Sequence, residues 1–306
     1  MKKNSTAIAL IACLSIGIVG FMYFDRINIL AQIRNTLKNK MLQDFTNTLT
    51  NTTDITKDTN DNKQIKYSFA VISDIHNNTE ELKQAIEIIN KQNEEFVVGL
   101  GDYTDVGTTE ELTKVSNELK NLNKKFYSVP GDHDLWNGRD KGTEPITYYQ
   151  NIFGKTPEAF ISKDIQFIFL NNADLYTGIN QEELNNFYTT LENTPSETII
   201  IFSHKAIYHP LTIHKMGYVG DEKNDVVLTQ ADEISSKLTA TRDKKIYLMH
   251  GDLHSSSKFN GSSDNIKNFT IGALEKKKNF QTPRFSIANI YVDGTVDTQD
   301  VPVEEP

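Results

Sequence analysis

Aspartates and histidines gather in five short clusters between residues 74 and 254. The clusters read Asp74-Ile75-His76, Gly101-Asp102-Tyr103-Thr104-Asp105, Gly131-Asp132-His133-Asp134, Ser203-His204 and Gly251-Asp252-Leu253-His254. The chain has one cysteine, which excludes a disulfide framework and a thiolate zinc site. Carboxylates brought together in such number are unfavourable without a cation. The clusters therefore predict a metal site with nitrogen and oxygen ligands.

Each cluster follows a short apolar segment typical of a buried β-strand. These segments are 67–72, 96–100, 126–129, 198–202 and 245–249. Between them lie helical patterns, such as Leu112, Val115 and Leu119, at the spacing of one helix face. Alternating strands and helices predict an α/β sheet that is covered on both faces. Ligands bind beyond the carboxyl ends of the strands in such sheets, so we expect the clusters to converge there.

In this order the clusters resemble the motif series of the calcineurin-like metallophosphoesterases, which is D-x-H, G-D-x-x-D, G-N-H-D/E, H and G-H-x-H. The resemblance covers residues 74–254. It implies the α/β fold of that family, a four-layer α/β sandwich. It also implies two divalent metal ions that activate a water for attack on a phosphoester.

The resemblance also assigns roles to individual residues. It implies that the first ion is held by Asp74, His76, Asp102 and His254. It implies that the second ion is held by Asp102, Asp132, His204 and Asp252, so that Asp102 bridges the pair. His133 would meet the leaving-group oxygen and Asp105 would orient it, because an imidazole paired with a carboxylate stays protonated to higher pH. Asp105 could instead cap the next helix, a role also open to Thr108 or Thr109.

Two departures from the family pattern fall on the second ion. Asp132 replaces an asparagine and Asp252 replaces the first histidine of the last motif. Oxygen-rich ligation favours Mn, Mg or Fe over Zn, and the added negative charge favours a diester or a weakly charged substrate. Two alternatives stay open. His250 could supply the missing imidazole, or the chain could be a catalytically silent binding or signalling domain with this fold.

Other residues bear on the substrate. Val106 stands where the phosphoprotein phosphatases carry a phosphate-gripping arginine, which disfavours that class. Lys205, directly after His204, is either a cation near the substrate or an ordinary loop lysine. A formal charge of -9 argues against nucleic acid as a partner and against an exonuclease-like phosphodiesterase. The expected partner is a phosphoester, either a small molecule or a component of the cell envelope.

The N-terminal part has a separate composition. Lys2 and Lys3 precede an uncharged apolar run over residues 7–24, whose length in a helix, about 27 Å, is enough to cross a bilayer core. Because short cytoplasmic segments are rich in lysine, residues 1–24 are predicted to be a single-pass anchor in the cell membrane, with the catalytic domain outside the cytoplasm. A cleaved signal peptide, or a lipoprotein signal at Cys13, is the alternative.

The remaining boundaries follow from pattern and composition. Apolar residues recur every three or four positions over 27–45, which predicts an amphipathic stalk helix. Residues 47–63 are polar and are interpreted as a flexible tether, so residues 25–63 form a stalk and linker. Residues 64–296 are predicted to form the metallophosphoesterase domain, and the acidic residues 297–306 a solvated tail.

Overall fold

The computed structural model describes residues 64–303. The predicted anchor over residues 1–24 and the predicted stalk and linker over residues 25–63 lie outside the described residues. Within residues 64–303, none of the helices combines the length and the apolar character needed to cross a bilayer.

The described region alternates strands and helices, as the sequence predicts. Its helices are α1 (Thr79–Asn90), α2 (Thr109–Leu119), α3 (Asp132–Asp140), α4 (Thr147–Phe153), α5 (Gln181–Asn193) and α6 (Asp225–Ala240). Its strands are β1 (Ile65–Ile72), β2 (Phe96–Gly99), β3 (Lys125–Ser128), β4 (Ala159–Ser162), β5 (Ile165–Leu170), β6 (Thr198–Ser203), β7 (Tyr218–Val219), β8 (Glu222–Lys223), β9 (Lys245–His250), β10 (Ser257–Asn260), β11 (Ile266–Thr270), β12 (Arg284–Tyr291) and β13 (Val296–Pro302).

The strands form two large sheets and one small hairpin. The first sheet has the order β13-β12-β1-β2-β3, the second has the order β10-β11-β9-β6-β5-β4, and β7 pairs with β8. Strands β1, β2 and β3 run parallel to one another, and so do β5, β6, β9 and β11. Parallel neighbours present their carboxyl ends at the same edge of the sheet, which is the edge where the predicted clusters lie.

Alternation of side chains along the strands builds a four-layer sandwich. In β1, Phe69 and Val71 belong to a central core that also includes Phe167 of β5 and Phe202 of β6. The intervening Ala70 belongs to a second core, which contains apolar residues of α1 and α2. A third core joins the second sheet to α5 and α6. Both faces of each sheet are therefore covered, which confirms the predicted mixed α/β fold.

The C-terminal segment corrects one predicted boundary. Residues 296–302 form the edge strand β13, which pairs antiparallel with β12, so residues 297–302 are part of the domain and the prediction of a solvated tail from residue 297 was wrong there. Acidic composition suggested a solvated segment, but these aspartates have partners within the fold. Asp300 accepts a hydrogen bond from Ser286 and lies 3.3 Å from Arg284 Nη1, and Asp297 Oδ1 lies 2.7 Å from Lys258 Nζ.

Candidate metal centre

The predicted ligands meet at the carboxyl ends of five strands. Asp74 and His76 follow β1, Asp102 follows β2, and Asp132 begins α3 just after β3. The second sheet contributes His204 after β6 and both Asp252 and His254 after β9. The apolar side chains of each strand pack into the cores on the two faces of its sheet, so the polar ligand follows at the carboxyl end of the strand.

The first predicted set of ligands lies together. One ligand atom from each of Asp74, His76, Asp102 and His254 falls within 4.8 Å of all the others. His76 Nε2 lies 3.1 Å from His254 Nε2 and 3.5 Å from Asp102 Oδ2. His254 Nε2 lies 3.6 Å from Asp74 Oδ1. Nitrogen and oxygen atoms of four residues thus lie close enough to one another to share one ion.

Three of the four ligands predicted for the second ion form another such group. Asp102, Asp132 and His204 also offer atoms within 4.8 Å of one another. His204 Nε2 is 3.1 Å from Asp132 Oδ1 and 3.4 Å from Asp102 Oδ1. Asp102 faces the first group with Oδ2 and the second with Oδ1, which is the placement needed for a carboxylate that bridges two ions.

Asp252 lies beside the second group rather than within it. Its Oδ1 is 3.7 Å from His204 Nε2 but only 2.7 Å from the ammonium of Lys205. His250, the alternative imidazole, is buried in β9 with its Nε2 3.5 Å from Thr270 Oγ1, outside both groups. Lys205 is therefore part of the centre, and the structure disfavours the loop-lysine interpretation.

Backbone conformations at the centre are unusual for the residue types present. The non-glycine residues with φ between 45° and 68° at the centre are Asp74, His76, Asn77, Asp102, Asp252 and His254. Residues that have a Cβ rarely adopt this left-handed region of backbone conformation, and the strain is about 1–3 kcal/mol for each such residue. Strain of this kind collects at functional sites, where the surrounding fold holds the ligand loops in place.

Two glycines let neighbouring ligand loops approach each other. Gly101 has a φ of +90°, and a Cβ added there would lie 2.4 Å from the nitrogen of Gly131. A Cβ added at Gly131 would lie 2.1 Å from both the nitrogen and Oδ1 of Asp102. The loops after β2 and β3 therefore touch backbone to backbone next to Asp102.

The buried carboxylates of the centre would be stabilised in their charged form by a nearby positive charge. Burial raises the pKa of Asp74, and raises that of Asp102 well above its ordinary value, because the charged carboxylates lose their hydration. Burial disfavours a charged His204, but Asp102 and Asp132 outweigh it and raise the pKa of this imidazole. Burial and the neighbouring His133 and His254 lower the pKa of His76 to about 2, so that imidazole is neutral, as a metal ligand must be.

Unpaired atoms test whether a metal fits these residues. Asp74 Oδ2, Asp252 Oδ2 and His254 Nδ1 are buried and have no hydrogen-bond partner within the described region. A buried carboxylate oxygen without a partner is costly, and a divalent cation would offset that cost. His204 Nδ1 donates a hydrogen bond to the carbonyl of Leu100 at 2.7 Å, which leaves Nε2 free to bind a metal. The residues therefore fit a metal centre.

Asp105 contacts a different partner than expected. The sequence predicted that its carboxylate orients His133, but His133 Nδ1 donates to the main-chain carbonyl of Asp105 at 2.5 Å. The carboxylate faces the loop after β1 that carries Asp74 and His76: Oδ1 lies 3.4 Å from His76 Nδ1, and Oδ2 accepts a hydrogen bond from Asn77. Thr108 caps α2, so the capping alternative for Asp105 does not hold.

Asp105→Ala is expected to weaken Mn²⁺ binding by about 10- to 100-fold, the usual effect of losing a group that orients a metal-binding histidine. The main-chain contact to His133 survives the change, so the pH profile of kcat should keep its shape. Calorimetric Mn²⁺ titration and a pH–rate profile measure the two effects. A displaced alkaline limb with unchanged Mn²⁺ affinity would show instead that the carboxylate acts on His133.

Two residues that position the centre were not predicted from the sequence. Asp134 joins two ligand loops, since Oδ1 accepts hydrogen bonds from the Thr104 amide and hydroxyl and Oδ2 accepts one from the Gly131 amide. Asn172 accepts hydrogen bonds from the amides of His204 and Lys205, both at 3.1 Å. Asn172 closely follows β5, so it carries the same signal as the ligands, a polar residue just beyond a strand end.

Comparisons with known proteins agree with this geometry. Residues 67–256 match the family described as Calcineurin-like phosphoesterase. The chain is 27% identical over 116 residues to a protein of Arcobacter nitrofigilis named "Probable glycerophosphodiester phosphodiesterase GpdQ"; the match covers 37% of this chain and 42%, less than half, of that relative. The structure of PhoD is similar with a TM-score of 0.54 and 11% identity, covering 75% of this chain and 64% of that one, a likeness of fold.

Proposed function

The chain belongs to the calcineurin-like phosphoesterase family, and from this premise we propose that it hydrolyses phosphoesters at a centre of two divalent metal ions. One observation carries the proposal: two groups of buried ligand atoms share the two oxygens of Asp102. When bound, the ions would lower the pKa of a water and polarise the phosphoryl oxygens.

The protein's own residues have distinct tasks in this proposal. Asp74, His76, Asp102 and His254 would hold the first ion, while Asp102, Asp132 and His204 would hold the second. His133 gives a proton to the leaving-group oxygen. With Nδ1 held by the Asp105 carbonyl, Nε2 is the nitrogen that can carry this proton outward. The amide of His133 donates to Asp102 Oδ1 at 3.0 Å, which fixes the imidazole relative to the bridging carboxylate.

We favour a phosphodiester as the substrate and Mn, Mg or Fe as the metal. The carboxylate-rich second group favours the harder ions over Zn and repels a phosphate dianion more strongly than a diester. Val106 in place of arginine removes the bidentate clamp for a phosphate group. Trp136 lies one turn after His133 in α3, with 44% of its surface exposed and its ring centroid 5.5 Å from the imidazole. Its apolar face suits an organic leaving group.

A substrate panel with the full-length chain tests the function. We expect turnover of aryl phosphate diesters in preference to monoesters, higher rates with Mn²⁺ than with Zn²⁺, and loss of activity when the metal is removed. A preparation that binds metal but turns over neither class of ester with any of these metals would instead indicate a silent binding domain.

We also propose that residues 1–24 anchor the protein in the cell membrane with the catalytic domain outside the cytoplasm. The support is the apolar run over residues 7–24 with lysines before it, the arrangement of a segment whose short end is cytoplasmic. Protease treatment of intact cells that carry a C-terminal fluorescent fusion should remove the fluorescence. Fluorescence that is protected until the cells are lysed would contradict this orientation.

A further inference from the structure

The ammonium of Lys205 faces an oxygen of Asp132, a proposed ligand of the second metal ion, and an oxygen of Asp252 beside that group. Lys205 Nζ lies 2.7 Å from Asp252 Oδ1 and 3.6 Å from Asp132 Oδ1. Those two oxygens lie 3.7 Å and 3.1 Å from His204 Nε2, respectively. The second ion would therefore share Asp132 with the ammonium of Lys205, which is covalently part of the chain and also pairs with the adjacent Asp252.

Lys205 is held in this position by its own backbone. Its amide donates to Asn172 Oδ1, and its carbonyl accepts hydrogen bonds from Asn172 Nδ2 at 2.7 Å and from the Ser203 hydroxyl at 3.1 Å. The side chain is only 9% exposed. A buried ammonium is stable only when carboxylates pair with it, so its contacts with Asp252 and Asp132 are a built feature of the fold.

The partners of Lys205 are the two positions at which this chain departs from its family. Asp132 and Asp252 each add a negative charge where the family pattern has a neutral side chain. An added ammonium offsets one of these charges without any metal. Lys205 and one divalent ion together offset three of the four charges on Asp74, Asp102, Asp132 and Asp252, so the centre stays close to balanced with the first group alone occupied.

We propose that Lys205 is a built-in cation that occupies the second half of the centre alongside the metal, so that the second ion binds much more weakly than the first. The inference rests on the proposed metal-dependent function and adds that the two sites are unequal because of this lysine. The affinity of the first group for its ion should not be lowered by Lys205, because that group contains neither Asp132 nor Asp252, the two partners of the ammonium.

Mn²⁺ binding to the metal-free, full-length chain tests the inference. Calorimetry gives the two affinities, and electron paramagnetic resonance distinguishes an isolated ion from a coupled pair. In the wild type the second ion should bind at least about tenfold more weakly than the first, since a positive charge beside the site opposes it. Lys205→Met, of similar length but neutral, should tighten the second site by about tenfold or more and give the coupled spectrum at two equivalents.

Two matched variants complete the experiment. Lys205→Arg keeps the charge and should keep the weak second site. Lys223→Met makes the same chemical change at an exposed residue of β8 and should bind Mn²⁺ as the wild type does.

Two ions of equal affinity in the wild type, or a second affinity that Lys205→Met leaves unchanged, would overturn the inference. If the methionine variant does not fold, equal affinities in the wild-type titration would still overturn the inference. Failure of the wild type to bind Mn²⁺ at the first group has a different meaning, because Lys205 does not contact that group. It would contradict the proposed function itself.

Discussion

Asp102→Asn is expected to lower kcat for a phosphodiester by about a thousandfold or more, because this one change removes charge from both metal groups. Asparagine has nearly the shape of aspartate and still offers an oxygen to the His133 amide, so the fold should survive. Its amide nitrogen cannot bind a cation, however, and one of the two groups loses its shared ligand. Steady-state assays with saturating Mn²⁺ measure the loss.

The matched control is Asp164→Asn, in the turn between β4 and β5, where the side chain is 95% exposed. It makes the same substitution away from the centre and should leave kcat within about twofold of wild type, since surface changes of this kind have small effects. Equal turnover by wild type and Asp102→Asn would contradict hydrolysis at this centre.

Gly131→Ala is expected to lower kcat by about 100-fold, because small displacements of catalytic groups cost about that much. The new Cβ would lie 2.1 Å from the nitrogen of Asp102, and since backbone cannot yield as a flexible side chain does, the loop after β2 must shift. Stability should also fall by about 1–3 kcal/mol, the usual cost of overpacking. Thermal unfolding and kcat, measured on the same preparation, test both effects.

Gly142→Ala is the control for Gly131→Ala, because it replaces a glycine by alanine without creating a steric clash. A Cβ at Gly142 meets nothing within 4 Å, although its φ of +65° makes alanine strained there. We expect a stability loss of about 1 kcal/mol from this strain and unchanged kcat. If Gly131→Ala behaves like Gly142→Ala, the close approach of the two loops does not position Asp102.

The sequence was informative about the centre because strand ends are easy to find. Each ligand cluster follows an apolar segment, and parallel strands bring their carboxyl ends to one edge regardless of the distance between them in the chain. The order of the motifs then led to the family. Whether a residue lies at the end of a strand depends on the backbone alone. The location of Asp74, Asp102 and His204 at strand ends could therefore be predicted without knowledge of any side-chain contact.

Side-chain direction was harder to predict. The position of Asp105 in its motif was clear, but whether its carboxylate or its carbonyl meets His133 depends on the turn that carries it. Lys205 was ambiguous for the same reason, because a lysine beyond a strand end reaches either solvent or the site. Strand β13 was missed because composition suggested a solvated tail, whereas Arg284, Ser286 and Lys258, which lie elsewhere in the fold, bond its aspartates.

The left-handed backbones beneath the ligands limit how this protein can be engineered for heat tolerance. Glycine at those positions would relax the chain, yet at Asp74, His76, Asp102 and His254 it would delete a group proposed to bind metal, and at Asp252 it would delete the partner of Lys205. Selection for thermal stability alone would therefore favour variants that have lost activity, a known conflict between stability and activity. Improvements have to be sought far from the strand ends, in surface turns and helix termini that the chemistry does not use.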